Sequence, residues 1–200
     1  MPRSKEQFKE MREKTRSIIL EKALLLFANK GFHGTSINDI ANEAGISKGL
    51  AYNYFESKDA ILQAIIDTAL TAGLEVMNVS KLSDDPYKQL ELLIVKTFDH
   101  IQKNDNYWRM FSTLMLQPKL SNITEKMVNE FGTNAMNETI KIFKKIGIRN
   151  PETEALILDG VLDGIILHYL FFKDKYPIKK VKNKLLKKYS REELEKIKVL

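Results

Sequence analysis

Apolar residues recur every three or four positions along most of the chain, which is the spacing of one face of an α-helix. These runs predict long helices over 4–29, 58–79, 86–103, 107–116, 122–146 and 151–172, and a shorter pair in the last 25 residues. Nine Gly and five Pro are few for 200 residues, and most of them fall between the periodic runs. The chain is therefore predicted to be all-α.

The segment that follows the first long helix has the signals of two short helices joined by a tight turn. Ser36 and Asp39 have the spacing of a capping box, and Ile37, Ile40 and Ala44 begin an apolar face behind them. Gly45 can end that helix in a left-handed conformation. Ser47 can then cap a second helix. This arrangement is a helix-turn-helix.

The second of these helices begins with small and polar residues, from Lys48 through Asn53. Such an end can enter the major groove of DNA, which is about 12 Å wide and admits one helix. The segment therefore predicts a DNA-binding function.

At these positions the sequence resembles the TetR family of bacterial transcriptional regulators. The matching residues extend over about 28 contiguous positions: Gly31-Phe32, Thr35, Ile40-Ala41, Glu43 through Gly49, Tyr52, Tyr54-Phe55 and Ser57-Lys58. The chain departs from the family at Leu50 and Ala51, where Thr and then Leu are common. The resemblance implies a helix-turn-helix head over residues 1–56 and a body over 57–200 that binds an effector and dimerises.

The resemblance also implies how the head contacts DNA. It implies phosphate contacts from Thr35, Tyr52, Tyr54 and Lys58, and base-edge contacts from Lys48, Gly49, Leu50 and Asn53. The helix caps Ser36 and Ser47 complete the predicted DNA-binding set. The expected partner is a near-palindromic double-stranded operator, because the resemblance implies a homodimer.

The predicted helix over 151–172 is apolar on nearly every side from Ala155 onward. Asp159, Asp163 and His168 argue against a membrane span, because a charge inside a bilayer is costly. A water-soluble helix of this kind must be covered on all faces. We expect its own body to cover one face and a second copy to cover the other, with the 122–146 helix beside it.

An aromatic and Met-rich group lies where TetR-like proteins hold a ligand, and an apolar or amphipathic small-molecule effector is expected there. The predicted lining residues are Met77, Phe98, His100, Trp108, Phe111, Met115, Asp163 and His168. A plain hydrophobic core is the alternative for the aromatic residues. For Asp163 and His168 the alternative is a hydrogen bond, within the subunit or between subunits.

Composition and motifs narrow the remaining classes of function. The chain has no Cys, and its three His residues are too scattered for a metal site, so neither a metal nor another cofactor is predicted. No catalytic motif is present, so an enzyme is not expected. The net charge of +6 is concentrated in a basic C-terminal tail and carries little information about DNA. A cytoplasmic, ligand-responsive repressor is predicted, and an architectural or cell-cycle DNA-binding protein without an effector is the alternative.

Overall fold

The computed structural model describes residues 4–117 and 122–198, with side chains at all of these positions except 80 and 122–131. This part of the chain is helical and contains no strand. Its helices are α1 Lys5–Lys30, α2 Ile37–Glu43, α3 Lys48–Tyr54, α4 Lys58–Met77, α5 Pro86–Lys103, α6 Asp105–Met115, α7 Asn122–Ile146, α8 Pro151–Phe172, α9 Ile178–Lys188 and α10 Arg191–Lys198. The predicted all-α class is confirmed.

The capping residues explain why these helices begin and end where they do. The Ser4 hydroxyl accepts a hydrogen bond from the Gln7 amide at 3.2 Å, so α1 is capped from its first turn. Asp85 accepts from the Tyr87 amide at 3.1 Å, with Pro86 at the first position of α5. Gly147 follows α7 with a φ of 89°, a conformation that favours Gly. These predicted boundaries are confirmed.

Several helix ends differ from the prediction by one or two residues. For example, α6 begins at Asp105, two residues before the predicted start. The predicted 122–146 helix is continuous through Gly132. A single Gly in a helix interior costs only about 1 kcal/mol, which the rest of a long helix can offset.

The chain forms two compact units. The first contains Met1–Ala69 together with Met110–Lys126, and the second contains Leu70–Arg109 together with Met127–Leu200. The start of α4 belongs to the first unit, and its side chains Ile61 and Ile65 are buried. The division of the chain at residue 57 that the sequence predicts therefore differs from the division into compact units.

The second unit has its own apolar core and one helix face that this core does not cover. Leu90, Ile94, Phe143 and Leu158 are almost fully buried in it. Large apolar side chains of α8 are nevertheless exposed to solvent: Leu156, Ile157, Leu167, Phe171 and Phe172. Both α4 and α8 are long and apolar enough to span a membrane. Core helices of soluble proteins also meet these two criteria, so the finding is weak evidence for a membrane span.

Candidate DNA-binding interface and effector region

The turn between α1 and α2 is held together by hydrogen bonds within the chain. Gly31 ends α1 with a φ of 80°, and Thr35 is 2% exposed. The Thr35 hydroxyl donates to the Gly31 carbonyl at 2.9 Å and approaches the Leu26 carbonyl at 3.4 Å. A Cβ at Gly34 would lie 2.5 Å from the Lys30 carbonyl oxygen, so this position has no room for a side chain.

Lys58 reaches back from the start of α4 to the same turn. Its ammonium nitrogen donates to the Phe32 carbonyl at 2.7 Å and to the Thr35 carbonyl at 2.8 Å, and it lies 4.5 Å from the centre of the Phe32 ring. Thr35 and Lys58 were both predicted to hold phosphates. The structure commits the proton of the buried Thr35 hydroxyl and two of the three Lys58 protons to the turn, and their phosphate contacts stay predictions.

The second helix of the motif, α3, presents its polar residues to solvent. The Ser47 hydroxyl accepts a hydrogen bond from the Leu50 amide at 3.2 Å and so caps α3 as predicted. Four side chains of the predicted DNA-binding set are exposed on α3: Lys48, Leu50, Tyr52 and Asn53. Ala51 on the opposite side of α3 is 1% exposed and fixes the helix to the core.

Gly49 lies in the exposed first turn of α3, where the fold itself does not require a Gly. A Cβ built there meets no atom within 4 Å, and the residue has no positive φ. Gly lowers helix stability relative to Ala by about 1 kcal/mol. Its use at this position is consistent with a close approach of another molecule to the backbone.

The remaining members of the predicted set, Ser36 and Tyr54, are engaged within the head. Ser36 and Asp39 form the full capping box of α2, and the Ser36 hydroxyl also donates to the Asp39 carboxylate at 2.6 Å. The hydrogen bond from the Ser36 side chain, assisted by the Ser36 amide, lowers the pKa of Asp39. The ring of Tyr54 is half-buried, and the Arg12 guanidinium lies 5.3 Å from its centre.

Two of the predicted lining residues, His100 and Trp108, lie together with Tyr107 in the second unit. The His100 ring packs edge-on against Trp108 at 5.1 Å, and Tyr107 packs against Trp108 at 5.4 Å. His100 Nε2 is buried without a hydrogen-bond partner among the residues that the structure describes. Burial lowers the pKa of His100, and it raises the pKa of Tyr107 to about 12. Both groups are therefore neutral near pH 7.

The other predicted lining residues have different surroundings. Phe98 is 2% exposed in the core, and Met77 borders a separate cavity of about 490 Å³ between α4 and α7. Asp163 and His168 are exposed on α8. The predicted residues Phe111 and Met115 belong to the first compact unit. Across residues 4–117 and 122–198, no group of three His, Cys, Asp or Glu side chains could hold a metal ion.

Comparison with known proteins identifies the head. The sequence model of the bacterial regulatory proteins of the tetR family matches residues 19–65. The chain is 26% identical over 186 residues to the probable acrEF/envCD operon repressor of Escherichia coli, a match that covers 84% of this chain and 81% of that one.

The predicted resemblance to the TetR family is confirmed over the helix-turn-helix region.

Two further similarities extend this comparison. The chain is 39% identical over 98 residues to the HTH-type transcriptional regulator YuxN of Bacillus subtilis, a match that spans only 32% of that relative's length. Its fold is similar to that of FadR from Bacillus subtilis in complex with stearoyl-CoA, with a TM-score of 0.67 and 22% identity over 86% of this chain and 96% of that one.

One residue outside the region of the TetR-family match also braces the head. The Gln117 side chain, just beyond α6, donates to the Phe27 carbonyl at 2.7 Å and accepts from the Phe32 amide at 3.2 Å. The Phe32 peptide is thus held on both sides, by Gln117 at its N–H and by Lys58 at its carbonyl. The sequence analysis missed Gln117, because nothing near it in sequence indicates a partner 85 positions away.

We expect Gln117→Leu to lower the free energy of unfolding by about 1–3 kcal/mol, because it leaves a partly buried amide without a partner. Affinity for DNA should fall with it. Gln117→Glu is the matched control, since its carboxylate can accept from the Phe32 amide but cannot donate to Phe27, and its loss should be smaller. Denaturant unfolding of the three proteins measures the effect. Equal stabilities would contradict the role given to Gln117.

Proposed function

We propose that this chain is a TetR-family transcriptional repressor that binds a near-palindromic operator as a homodimer and leaves it when a small molecule binds the body. The observation that best supports DNA binding is that some residues of the head hold its turn together while others face solvent on α3. Thr35, Lys58 and Gln117 hold the turn from inside, whereas Lys48, Leu50 and Asn53 of α3 are exposed. The similarity to the probable acrEF/envCD operon repressor of Escherichia coli supports the direction of regulation.

The first experiment defines the operator by selecting bound duplexes from a random pool. Asn53→Ala and Lys48→Ala should each relax base preference at one position per half-site, at a cost of about 1–3 kcal/mol where the contact is bidentate. Asn42→Ala is the matched control, because Asn42 is also exposed but lies on α2. If both α3 variants selected the same bases as the wild type, Asn53 and Lys48 would not read the operator.

The exposed face of α8 supports the homodimer. It carries apolar side chains that a lone subunit leaves in water, and Gly160 and Gly164 on the same helix have open space at their Cβ positions. A second copy of α8 could approach closely at these glycines. Partial desolvation raises the pKa values of Asp159 and Asp163, and the charge of Asp159 raises that of Asp163 further.

The cluster of His100, Tyr107 and Trp108 supports an effector that is apolar with one hydrogen-bonding group. Its aromatic edges offer apolar contact, and the buried His100 Nε2 offers one polar contact. The FadR neighbour holds stearoyl-CoA, a ligand of this amphipathic type. We propose that the repressor acts in the cytoplasm, where both its operator and such metabolites are found.

Trp108 is the only tryptophan of the chain, so its fluorescence reports directly on this cluster. Stearoyl-CoA is the first probe, and it should change Trp108 emission and weaken operator binding. By linkage, operator DNA should weaken probe binding by the same factor. His100→Phe should reduce the affinity for the probe and leave operator affinity without the probe unchanged. If a series of amphipathic probes moved Trp108 emission without altering operator affinity, the architectural alternative would replace the sensor.

A further inference from the structure

The N-terminal part of α1 carries its charges in two separate stripes. Lys5, Lys9, Arg12 and Arg16 follow one another at intervals of four, three and four residues. With about 3.6 residues per turn, these intervals place all four cations within a narrow sector of the helix. The acidic residues Glu6, Glu10 and Glu13 repeat at the same spacing, about 100° around the helix. We call the four cations the α1 cationic stripe.

The charges of this stripe are not paired with acidic side chains in the described part of the chain. Lys5, Lys9 and Arg12 are exposed, and Arg16 is half-buried. Within the described part of the chain, no ion pair involves any of the four. The first turn is nevertheless well formed, because Ser4 and Gln7 cap it reciprocally. A capped helix therefore presents a row of available cations.

Two contacts fix where this row lies relative to the recognition helix. The Arg12 guanidinium carbon lies 5.3 Å from the centre of the Tyr54 ring, and that of Arg16 lies 5.3 Å from the centre of the Phe55 ring. Tyr54 is the last residue of α3, and Phe55 is its C-cap. The stripe thus begins beside the C-terminal end of α3 and extends away from it along α1. A guanidinium stacked on an aromatic face keeps its N–H edge available for a phosphate.

We propose that the α1 cationic stripe binds backbone phosphates of duplex DNA that flanks the bases read by α3. The proposal rests on the DNA-binding function proposed above. From Lys5 to Arg16 the helix rises about 16 Å, a length over which duplex DNA carries on the order of ten phosphate charges. These contacts add affinity without base preference. They also lengthen the DNA segment that each head requires.

The first test compares two single substitutions in the same exposed part of α1. Lys9 lies in the stripe, whereas Lys14 is exposed on the opposite side of the helix. Both Lys→Gln changes remove one charge and keep a good helix former. With a random-sequence 30-base-pair duplex, Lys9→Gln should lower the salt dependence of binding by about 0.9 log units per log unit of salt for each bound subunit and weaken binding roughly five-fold per bound subunit at 0.15 M salt. Lys14→Gln should match the wild type.

The second test uses the Lys5→Gln/Lys9→Gln/Arg12→Gln protein and duplexes of two lengths. One duplex contains the selected operator with flanking base pairs, and the other ends at the bases that α3 reads. The wild type should lose affinity on the shorter duplex, by about 100-fold per half-site for three lost contacts at 0.15 M salt. The triple variant should bind both duplexes equally. Far-UV circular dichroism confirms that α1 is intact, and Arg12→Lys separates the charge from the ring contact.

The outcomes separate this inference from the proposed function. If the wild type bound duplex DNA and Lys9→Gln behaved like Lys14→Gln, the stripe would have no phosphate role although the repressor assignment would stand. A wild type that bound no duplex at all would overturn both. A third outcome would assign the stripe to a membrane surface and overturn the proposal. In it, Lys9→Gln loses binding to anionic lipid vesicles, Lys14→Gln keeps it, and both variants bind DNA as the wild type does.

Discussion

Phe171→Asp is expected to turn the proposed homodimer into a folded monomer that binds its operator 100-fold or more weakly. Phe171 is 60% exposed on α8, so the substitution should not disturb the subunit's own core. In a two-fold interface the change occurs twice and places two carboxylates among apolar side chains. A monomer also loses the gain from linking two heads, which is commonly ~10²–10⁴ in affinity.

Sedimentation at micromolar concentration and titration of the selected operator measure the two effects. Leu82→Asp is the matched control, because Leu82 is 55% exposed but lies outside α8. It should sediment and bind DNA as the wild type does. A Phe171→Asp protein that remained dimeric would place the interface elsewhere, and a wild type that was monomeric would remove the reason for a palindromic operator.

Lys58→Met is expected to lower the free energy of unfolding by about 1–3 kcal/mol. The change removes two charge-assisted hydrogen bonds and leaves the Phe32 and Thr35 carbonyls of a partly buried turn without that donor. DNA affinity should fall because the turn positions α2 and α3. If Lys58 acts only inside the turn, the salt dependence of DNA binding should not change.

The salt dependence decides between this role and the one that the family resemblance implies. A phosphate-binding Lys58 would lower the slope by about 0.9 when removed, with little loss of stability. Lys48→Met is the control for stability, since Lys48 is exposed and substitutions at such positions usually change unfolding by less than about 0.5 kcal/mol. An unchanged unfolding free energy for Lys58→Met would show that its two hydrogen bonds are not needed.

Features whose partners are close in sequence could be predicted from the sequence. The capping pair Ser36 and Asp39, the Asp85-Pro86 start and the Gly147 stop depend on atoms within four residues, and all three are present. The contacts of Thr35 and Lys58 inside the turn could not be predicted, because their partners are backbone carbonyls, and for Lys58 these lie 23 and 26 positions away. A resemblance identifies such residues as important without stating which atoms they contact.

The effector region was harder to predict for a related reason. A helix that is apolar on nearly every side gives no indication of which face its own subunit covers, so Asp163 and His168 were assigned to a pocket although they lie on the exposed face of α8. The α1 cationic stripe was missed for a different reason. Residues 1–60 hold 10 basic and 8 acidic side chains, and this near balance conceals their separation around the helix.

The hold of Gln117 on Phe32 also bears on how the protein is made. Ribosomes deliver the helix-turn-helix first, yet the amide of Phe32 receives its partner only when the chain has grown 85 residues further. In the nascent chain, the turn between α1 and α2 therefore lacks this hydrogen bond until α4, α5 and α6 have been synthesised. Peptides that terminate before residue 117 would carry the whole recognition helix on an imperfect support, and proteases that cleave loosened turns would remove them in preference to the finished repressor.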